Sequence, residues 1–169
     1  GRIGAQVARN LSGFGCHIVA HDPYPSEEMK KMGVEYVSLD SLYAQSDIVT
    51  LHTFLNDETF HMINAESIRK MKPGVVIINC ARGALIKENE LVECLKDGTL
   101  FQAGLDVFEH EPIQESSREL FNLDNVIMTP HMAATTEQSV LNCCTSVAND
   151  IVAVCNGQEP KVKAQKPKF

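Results

Sequence analysis

The sequence lacks the features that mark several of the more easily recognised protein classes. Its six cysteines include no C-x-x-C pair, and Cys143 and Cys144 are neighbours, which is poor spacing for a zinc site or a disulfide framework. Reduced thiols, a cytoplasmic location and no metal site are therefore expected. No apolar run approaches the ~20 residues of a membrane-spanning helix, and there is no internal repeat or low-complexity segment.

Positive charge is also in the minority. The 15 lysines and arginines are outnumbered by 22 acidic residues, which gives a net charge of −7. This balance argues against nucleic acid or an anionic membrane as a partner. The remaining composition, 44% apolar and 22% charged over 169 residues, is that of an ordinary globular chain with enough residues for one core.

The spacing of apolar residues predicts helices that alternate with short strands. The predicted helices cover 3–13, 26–32, 39–45, 65–71, 87–97 and 135–156. The predicted strands cover 17–21, 34–37, 47–52, 75–81, 101–108 and 125–130. Nearly continuous apolar strands separated by helices indicate a parallel sheet covered on both faces, and therefore a doubly wound α/β domain.

The first and last predicted helices carry further signals. In the first, Ile3, Val7, Leu11 and Phe14 fall on one face, which we expect to be the inward face. In the last, Thr135 and Gln138 fit a capping box. There, apolar residues also recur at intervals of four and three, at Val140, Cys144, Val147, Ile151 and Val154.

The chain opens on GRIG, which matches the end of a G-x-G-x-x-G phosphate-binding turn. Gly1 and Gly4 would be its second and third glycines, with Arg2 and Ile3 beside the phosphates; the first glycine and its strand would lie upstream. Asp22 ends the next strand, where a carboxylate can accept hydrogen bonds from the adenosine ribose and repel a 2′-phosphate. The pattern favours NAD over NADP, although glycines at a turn are common and DPY can simply begin one.

Three polar residues follow three predicted strands. Arg82 follows 75–81, Glu111 follows 101–108, and His131 follows 125–130. Singly, each is explained as a surface or structural residue, but ligands of open α/β sheets bind beyond the carboxyl ends of the strands. Together they suit oxidation of a hydroxy acid, with His131 as acid/base, Glu111 as its partner and Arg82 holding a substrate carboxylate or keto oxygen.

At these positions the sequence resembles the D-isomer-specific 2-hydroxyacid dehydrogenases. Three segments carry the resemblance, NCARGALIKENELVECLKDG, AGLDVFEHEP and NVIMTPHMA, within a similarity that runs from Gly1 to about residue 157. The resemblance implies that Arg82, Glu111 and His131 are catalytic and that Asp106 meets the amide end of the nicotinamide. The NAD site that it implies is formed by Gly1, Arg2, Ile3, Gly4, Asp22, Thr53, Cys80, Ala81, Arg82, Asp106, His131 and Ala134.

Two positions depart from the family pattern. Phe54 stands where proline is usual, and Ala133 stands where many members carry glycine. Both touch the cofactor pocket, and neither removes a catalytic group.

The resemblance also implies a domain organisation. Residues 1–133 would form a Rossmann-like NAD-binding domain that lacks its first strand. Residues 134–169 would form a long helix and tail that return to a substrate domain absent from this chain. A homodimer joined through the nucleotide domain and a small 2-hydroxy or 2-keto acid substrate are expected on the same basis.

Within the family the motifs favour a phosphoglycerate dehydrogenase-like activity, with D-lactate, glyoxylate or hydroxypyruvate specificity as alternatives. A second hypothesis is an NAD(H)-sensing docking module of the corepressor type, which a retained catalytic triad does not exclude. A methyltransferase that uses the glycine turn for adenosylmethionine ranks last, because it leaves Arg82, Glu111 and His131 unexplained.

Overall fold

The computed structural model describes residues 1–163, and the chain divides into two compact units, Gly1–Pro130 and a second that begins at His131. The helices are α1 Arg2–Ser12, α2 Glu27–Lys31, α3 Leu39–Gln45, α4 Ala65–Arg69, α5 Glu88–Lys96 and α6 Glu137–Cys155. The strands are β1 Val19–Ala20, β2 Glu35–Tyr36, β3 Ile48–Leu51, β4 Val76–Asn79, β5 Gln102–Leu105 and β6 Val126–Met128. Residues 164–169, the end of the predicted tail, lie outside the described residues.

All strand pairs are parallel, as predicted, but they form two sheets. β1 pairs with β2, and a four-stranded sheet has the order β3-β4-β5-β6. In the larger sheet, Leu51 lies opposite Asn79, and Asn79 lies opposite Leu105. Since the strands are parallel and in register, the segments that follow β3, β4 and β5 leave the sheet at the same edge.

Side-chain caps explain where most of the helices begin. Ser26, Ser38 and Asn64 each accept a hydrogen bond from an amide in the first turn of α2, α3 and α4. At α6 the cap is Thr136, which accepts from Ser139 N–H, so the predicted capping box at Thr135 is wrong. The hydroxyl of Thr135 instead donates to the carbonyl of Met132, 2.8 Å away.

The first unit has two apolar cores of unequal size. The larger one lies against one face of the four-stranded sheet and includes Ile77, Leu91 and Leu100, each fully buried. The smaller one packs α1 and α2 against the β1-β2 sheet and has only Ala8, Met29 and Val34 as buried members. The strands of the larger sheet alternate in burial, and Ile127 on its other face is 76% exposed, so the described residues do not cover both faces as predicted.

The face of α1 that packs inward differs from the predicted one. Ile3 is 70% exposed and Phe14 is 80% exposed, whereas Ala8 is buried and Gly4 and Ala5 are partly buried. A Cβ built on Gly4 would lie 3.4 Å from the Cβ of His52. The helix therefore approaches the strand ends through its small residues, because these allow close contact, and the larger apolar residues remain outside.

The second unit consists of α6 and the segment after it. No residue of α6 is buried, so the predicted apolar repeat forms an exposed stripe here. The Asp150 carboxylate accepts hydrogen bonds from the amides of Lys161 and Val162, which holds the end of the described chain against the helix. An open cavity of about 470 Å³ between them contains none of the predicted site residues. No helix within residues 1–163 has the length and apolar character needed to cross a membrane.

Candidate functional site

The glycine turn and Asp22 meet at the start of α1. The nitrogen of Gly1 lies 3.0 Å from Asp22 Oδ2, and Tyr24 N–H donates to Asp22 Oδ1 at 2.8 Å. Among residues 1–163 no side chain caps the N-terminus of α1. The turn therefore presents helix N–H groups beside a carboxylate, which suits a phosphate next to a ribose.

Two opposing effects act on the Asp22 carboxyl. Partial burial raises its pKa, and the hydrogen bond from Tyr24 N–H lowers it. Partial burial lowers the pKa of His52, which packs against Gly4.

The turn after β4 is held by a buried side chain. Asn79, which is fully buried, accepts a hydrogen bond from Ala81 N–H at 3.0 Å and donates to the carbonyl of Arg82 at 2.9 Å. These two bonds fix the backbone on both sides of the Arg82 Cα. The guanidinium is exposed and donates to the carbonyl of Ala81 at 2.6 Å. A rigid backbone that carries an exposed, forked donor is suited to bind an anionic substrate group.

Gly83 brings the turn after β4 into contact with the turn after β5. A Cβ at this position would lie 1.8 Å from the carbonyl oxygen of Phe108, far inside van der Waals contact. Only glycine allows the two backbones to pass at this distance. The segments that carry Arg82 and Glu111 are therefore packed directly on each other.

Asp106 lies immediately after β5 and is 4% exposed. Its Oδ1 accepts a hydrogen bond from the hydroxyl of Thr129, which follows β6, and its N–H donates to the carbonyl of Asn79 at 2.9 Å. Partial burial raises the pKa of the Cys80 thiol, and the Asp106 carboxylate adds to that rise. Cys80 and Asp106, which the resemblance assigns to the NAD site, are thus neighbours in the structure.

Glu111 folds back onto its own turn. Its Oε1 accepts a hydrogen bond from Phe108 N–H at 3.0 Å, while the residue itself is exposed. His131 and Ala134 belong to the second unit. His131 directly follows Pro130 and adopts φ 52°, a left-handed backbone conformation that is uncommon for any residue with a side chain. Such conformations cluster at functional sites.

The first unit therefore brings together most of the predicted site. Gly1 contacts Asp22. Cys80, Arg82 and Asp106 lie in the turns after β4 and β5, at one edge of the four-stranded sheet. Arg2, Ile3 and Gly4 lie at the start of α1, and Thr53 and Ala81 lie just after the ends of β3 and β4.

The sequence analysis missed the polar network behind this edge. His61 Nε2 donates to Glu109 Oε1 at 2.7 Å, and the side chains of Glu109 and Glu88 each accept a hydrogen bond from the other residue's N–H. Glu88 is buried with 7% exposure. A glutamate at an inward-facing position of α5 can be read from the sequence and indicates a buried polar contact. Its partners cannot be read in the same way, because they lie far away along the sequence.

These features define a dinucleotide-binding α/β domain with polar side chains at the carboxyl ends of its strands. The residues fit the cofactor, because a helix N-terminus behind glycine, without a side-chain cap, lies next to the Asp22 carboxylate. The model for the NAD binding domain of the D-isomer specific 2-hydroxyacid dehydrogenases matches residues 1–133. The chain belongs to this family, which confirms the predicted family, the Rossmann-like fold and NAD as the cofactor.

Known relatives carry several different activities in their names. A glyoxylate reductase of Korarchaeum cryptofilum is 40% identical over 177 residues, which is 100% of this chain and 53% of that protein. A D-3-phosphoglycerate dehydrogenase of Methanocaldococcus jannaschii is 45% identical over 160 residues, covering 94% of this chain and 30% of that protein. The chain thus spans about half or less of the relatives' length.

A solved structure gives the same fold. The D-lactate dehydrogenase of Lactobacillus jensenii, solved with NAD+, superimposes with a TM-score of 0.93 at 31% identity. The match covers 98% of this chain and 53% of that protein.

Proposed function

We propose that this chain is the NAD-binding part of a longer NAD-dependent dehydrogenase that transfers a hydride between a D-2-hydroxy acid and NAD. One observation carries the proposal most strongly. Arg82 and Glu111 extend from adjacent turns, which Gly83 packs on each other, at the same sheet edge as Asp106. The turn after β6 leads directly into His131.

Each of these residues has a role that its chemistry supports. NAD supplies the hydride acceptor when it is bound. His131 takes the hydroxyl proton of the substrate on its imidazole, and Glu111 orients the ring and stabilises the imidazolium. Arg82 binds the substrate carboxylate through its forked donors. Asp106 would accept a hydrogen bond from the carboxamide of the cofactor, and Asp22 would accept from the adenosine ribose hydroxyls.

We also propose D-3-phosphoglycerate as the substrate, from the similarity of NCARG and DVFEHEP to that branch of the family. Glyoxylate, hydroxypyruvate and D-lactate are the alternatives. Most of the substrate-binding residues would come from a separate domain, to which residues 134–169 would return. The homodimer, the cytoplasmic location and this domain boundary stay predictions.

The experiment is NADH oxidation by the whole protein that contains this chain. The 2-keto acids to compare are phosphohydroxypyruvate, hydroxypyruvate, glyoxylate and pyruvate. We expect turnover with phosphohydroxypyruvate. Rapid turnover with another acid of the panel would keep the dehydrogenase and replace the substrate. NADH binding without turnover on any acid would favour the cofactor-sensing docking module.

A substitution tests the assignment of the acid/base. His131→Asn should lower kcat by about 100-fold or more, as expected for loss of a general acid/base, while NADH binding is retained. The matched control is His17→Asn, because His17 is an exposed histidine paired with Glu35 at 3.2 Å. Unchanged turnover in His131→Asn would exclude His131 as the proton donor.

A further inference from the structure

The network of His61, Glu109 and Glu88 is not used by the proposed reaction. The His61 and Glu109 side chains are each only 21% exposed, and a 2.7 Å hydrogen bond joins His61 Nε2 to Glu109 Oε1. His61 adopts φ 53°, and its N–H donates to the carbonyl of Ala84 at 2.9 Å. The backbone of this histidine is therefore fixed against the segment that follows Arg82.

Both oxygens of the Glu109 carboxylate are engaged. Oε1 accepts from His61, and Oε2 accepts from the N–H of Glu88 at 3.2 Å, in the first turn of α5. In return, Glu109 N–H donates to Glu88 Oε2 at 3.0 Å. Glu109 thus has its amide and its carboxylate fixed together, and this defines the path of the chain at that residue.

The fixed residue stands directly before the segment that carries Glu111. Phe108 N–H, one residue earlier, donates to Glu111 Oε1 at 3.0 Å. A shift of the backbone at Glu109 would change the position of both ends of this hydrogen bond. The placement of the Glu111 carboxylate is therefore coupled to the Glu109 anchor, to which His61 contributes one of three hydrogen bonds.

We propose that His61 is a positioning residue which, by holding the Glu109 carboxylate, fixes the turn 108–111 and thereby the carboxylate of Glu111. The catalytic consequence rests on the proposed function, in which Glu111 orients the acid/base. The positioning of the Glu111 carboxylate by His61 does not rest on the proposed function. Misplacement of a catalytic group by about 1 Å lowers turnover by up to 100-fold, so the effect is measurable.

The test compares His61→Ala and His61→Gln in the whole protein. Alanine removes the donor, whereas the glutamine amide can still donate to Glu109. We expect His61→Ala to lower kcat by about 10- to 100-fold with the KM for NADH changed less than about twofold. His61→Gln should recover most of the loss. The matched control is His17→Ala, which removes an exposed histidine with a glutamate partner and should leave kcat unchanged.

A second readout does not depend on turnover. Hydrogen exchange at the Phe108 amide, followed by NMR on protein labelled with ¹⁵N-phenylalanine, reports directly on its bond to Glu111. We expect exchange about tenfold faster in His61→Ala and unchanged in His17→Ala. If the wild-type protein reduced none of the keto acids, the proposed function would fail, and Phe108 exchange would still decide the inference.

If His61 contributed only to folding, a folded His61→Ala variant would have wild-type kcat and wild-type exchange at the Phe108 amide. That result would overturn the inference. If His61→Ala does not fold, Glu109→Gln replaces it, because an amide in that place cannot accept from both His61 and Glu88 N–H. The same loss of kcat and of Phe108 protection is expected, and the absence of both would overturn the inference as well.

Discussion

The side chain of Asn79 makes a prediction that separates stability from substrate binding. In Asn79→Asp the side chain keeps its shape and can still accept from Ala81 N–H. The aspartate carboxylate cannot donate to the carbonyl of Arg82. One of its oxygens would instead face that carbonyl oxygen at about 2.9 Å, the distance now spanned by the Asn79 Nδ2 hydrogen bond. The site is fully buried, so water does not replace the missing donor.

The expected magnitude follows from these contacts. Loss of one hydrogen bond costs about 1 kcal/mol, and an unpaired buried polar group adds about 1–3 kcal/mol. We therefore expect the free energy of unfolding to fall by about 2–4 kcal/mol. The measurement is urea unfolding at neutral pH. Because the Arg82 backbone loses its anchor, the KM for the 2-keto acid should also rise by about tenfold while NADH binding changes little.

The matched control is Asn125→Asp. The Asn125 amide also donates to backbone carbonyls, those of Leu95 at 3.2 Å and Phe101 at 3.0 Å, but the residue is only half-buried and precedes β6. We expect a loss of about 2 kcal/mol, about 1 kcal/mol for each of the two lost bonds, and no change in KM. Equal effects of the two variants on both quantities would refute the view that Asn79 positions Arg82.

Two further substitutions test the close contact and the cofactor end of the site. Gly83→Ala should lower the free energy of unfolding by about 3 kcal/mol or more, because the new Cβ would lie 1.8 Å from Phe108 O. The control is Gly104→Ala, where the atom nearest to the new Cβ is 3.8 Å away. Similar losses of stability in the two variants would contradict the packing argument. Asp22→Ala should weaken NADH binding about tenfold, the equivalent of one charged hydrogen bond, and reduce the preference for NADH over NADPH. The control is Asp40→Ala, which removes an exposed ion pair with a lysine and should change neither the NADH affinity nor that preference. An unchanged NADH affinity in Asp22→Ala would exclude a role of Asp22 in ribose binding.

The sequence contained the information for the element order and for most of the site edge. Apolar runs and Ser or Asn caps mark the helices and strands, and residues directly after parallel strands must leave the sheet at one edge. For this reason Arg82, Glu111 and His131 could be predicted to lie at one edge from the sequence, whereas Asp106 falls inside the predicted strand 101–108 and was assigned by the family resemblance alone. The assignment needed only strand direction and the position of each strand end.

What the sequence could not provide are contacts that depend on the third dimension. The face of α1 was predicted wrongly because large apolar residues usually lie inside, whereas close approach selected Gly4 and Ala8. Asn79 is the polar last residue of an apolar strand, which is ordinary in a sequence. Its role depends on the backbone path of the following turn, which the sequence does not reveal. His61 and Glu109 are separated by 48 positions, so no local pattern relates them.

The two unequal cores have a consequence for the energetics of cofactor binding. Asp22 and the start of α1 belong to the part that has Ala8, Met29 and Val34 as its buried apolar residues, whereas Arg82 and Asp106 adjoin the larger core. A ligand stabilises whatever it binds only in the folded state. In the proposed site NAD would contact both parts, so its binding would couple the folding of the part that carries Asp22 to the folding of the part that carries Arg82.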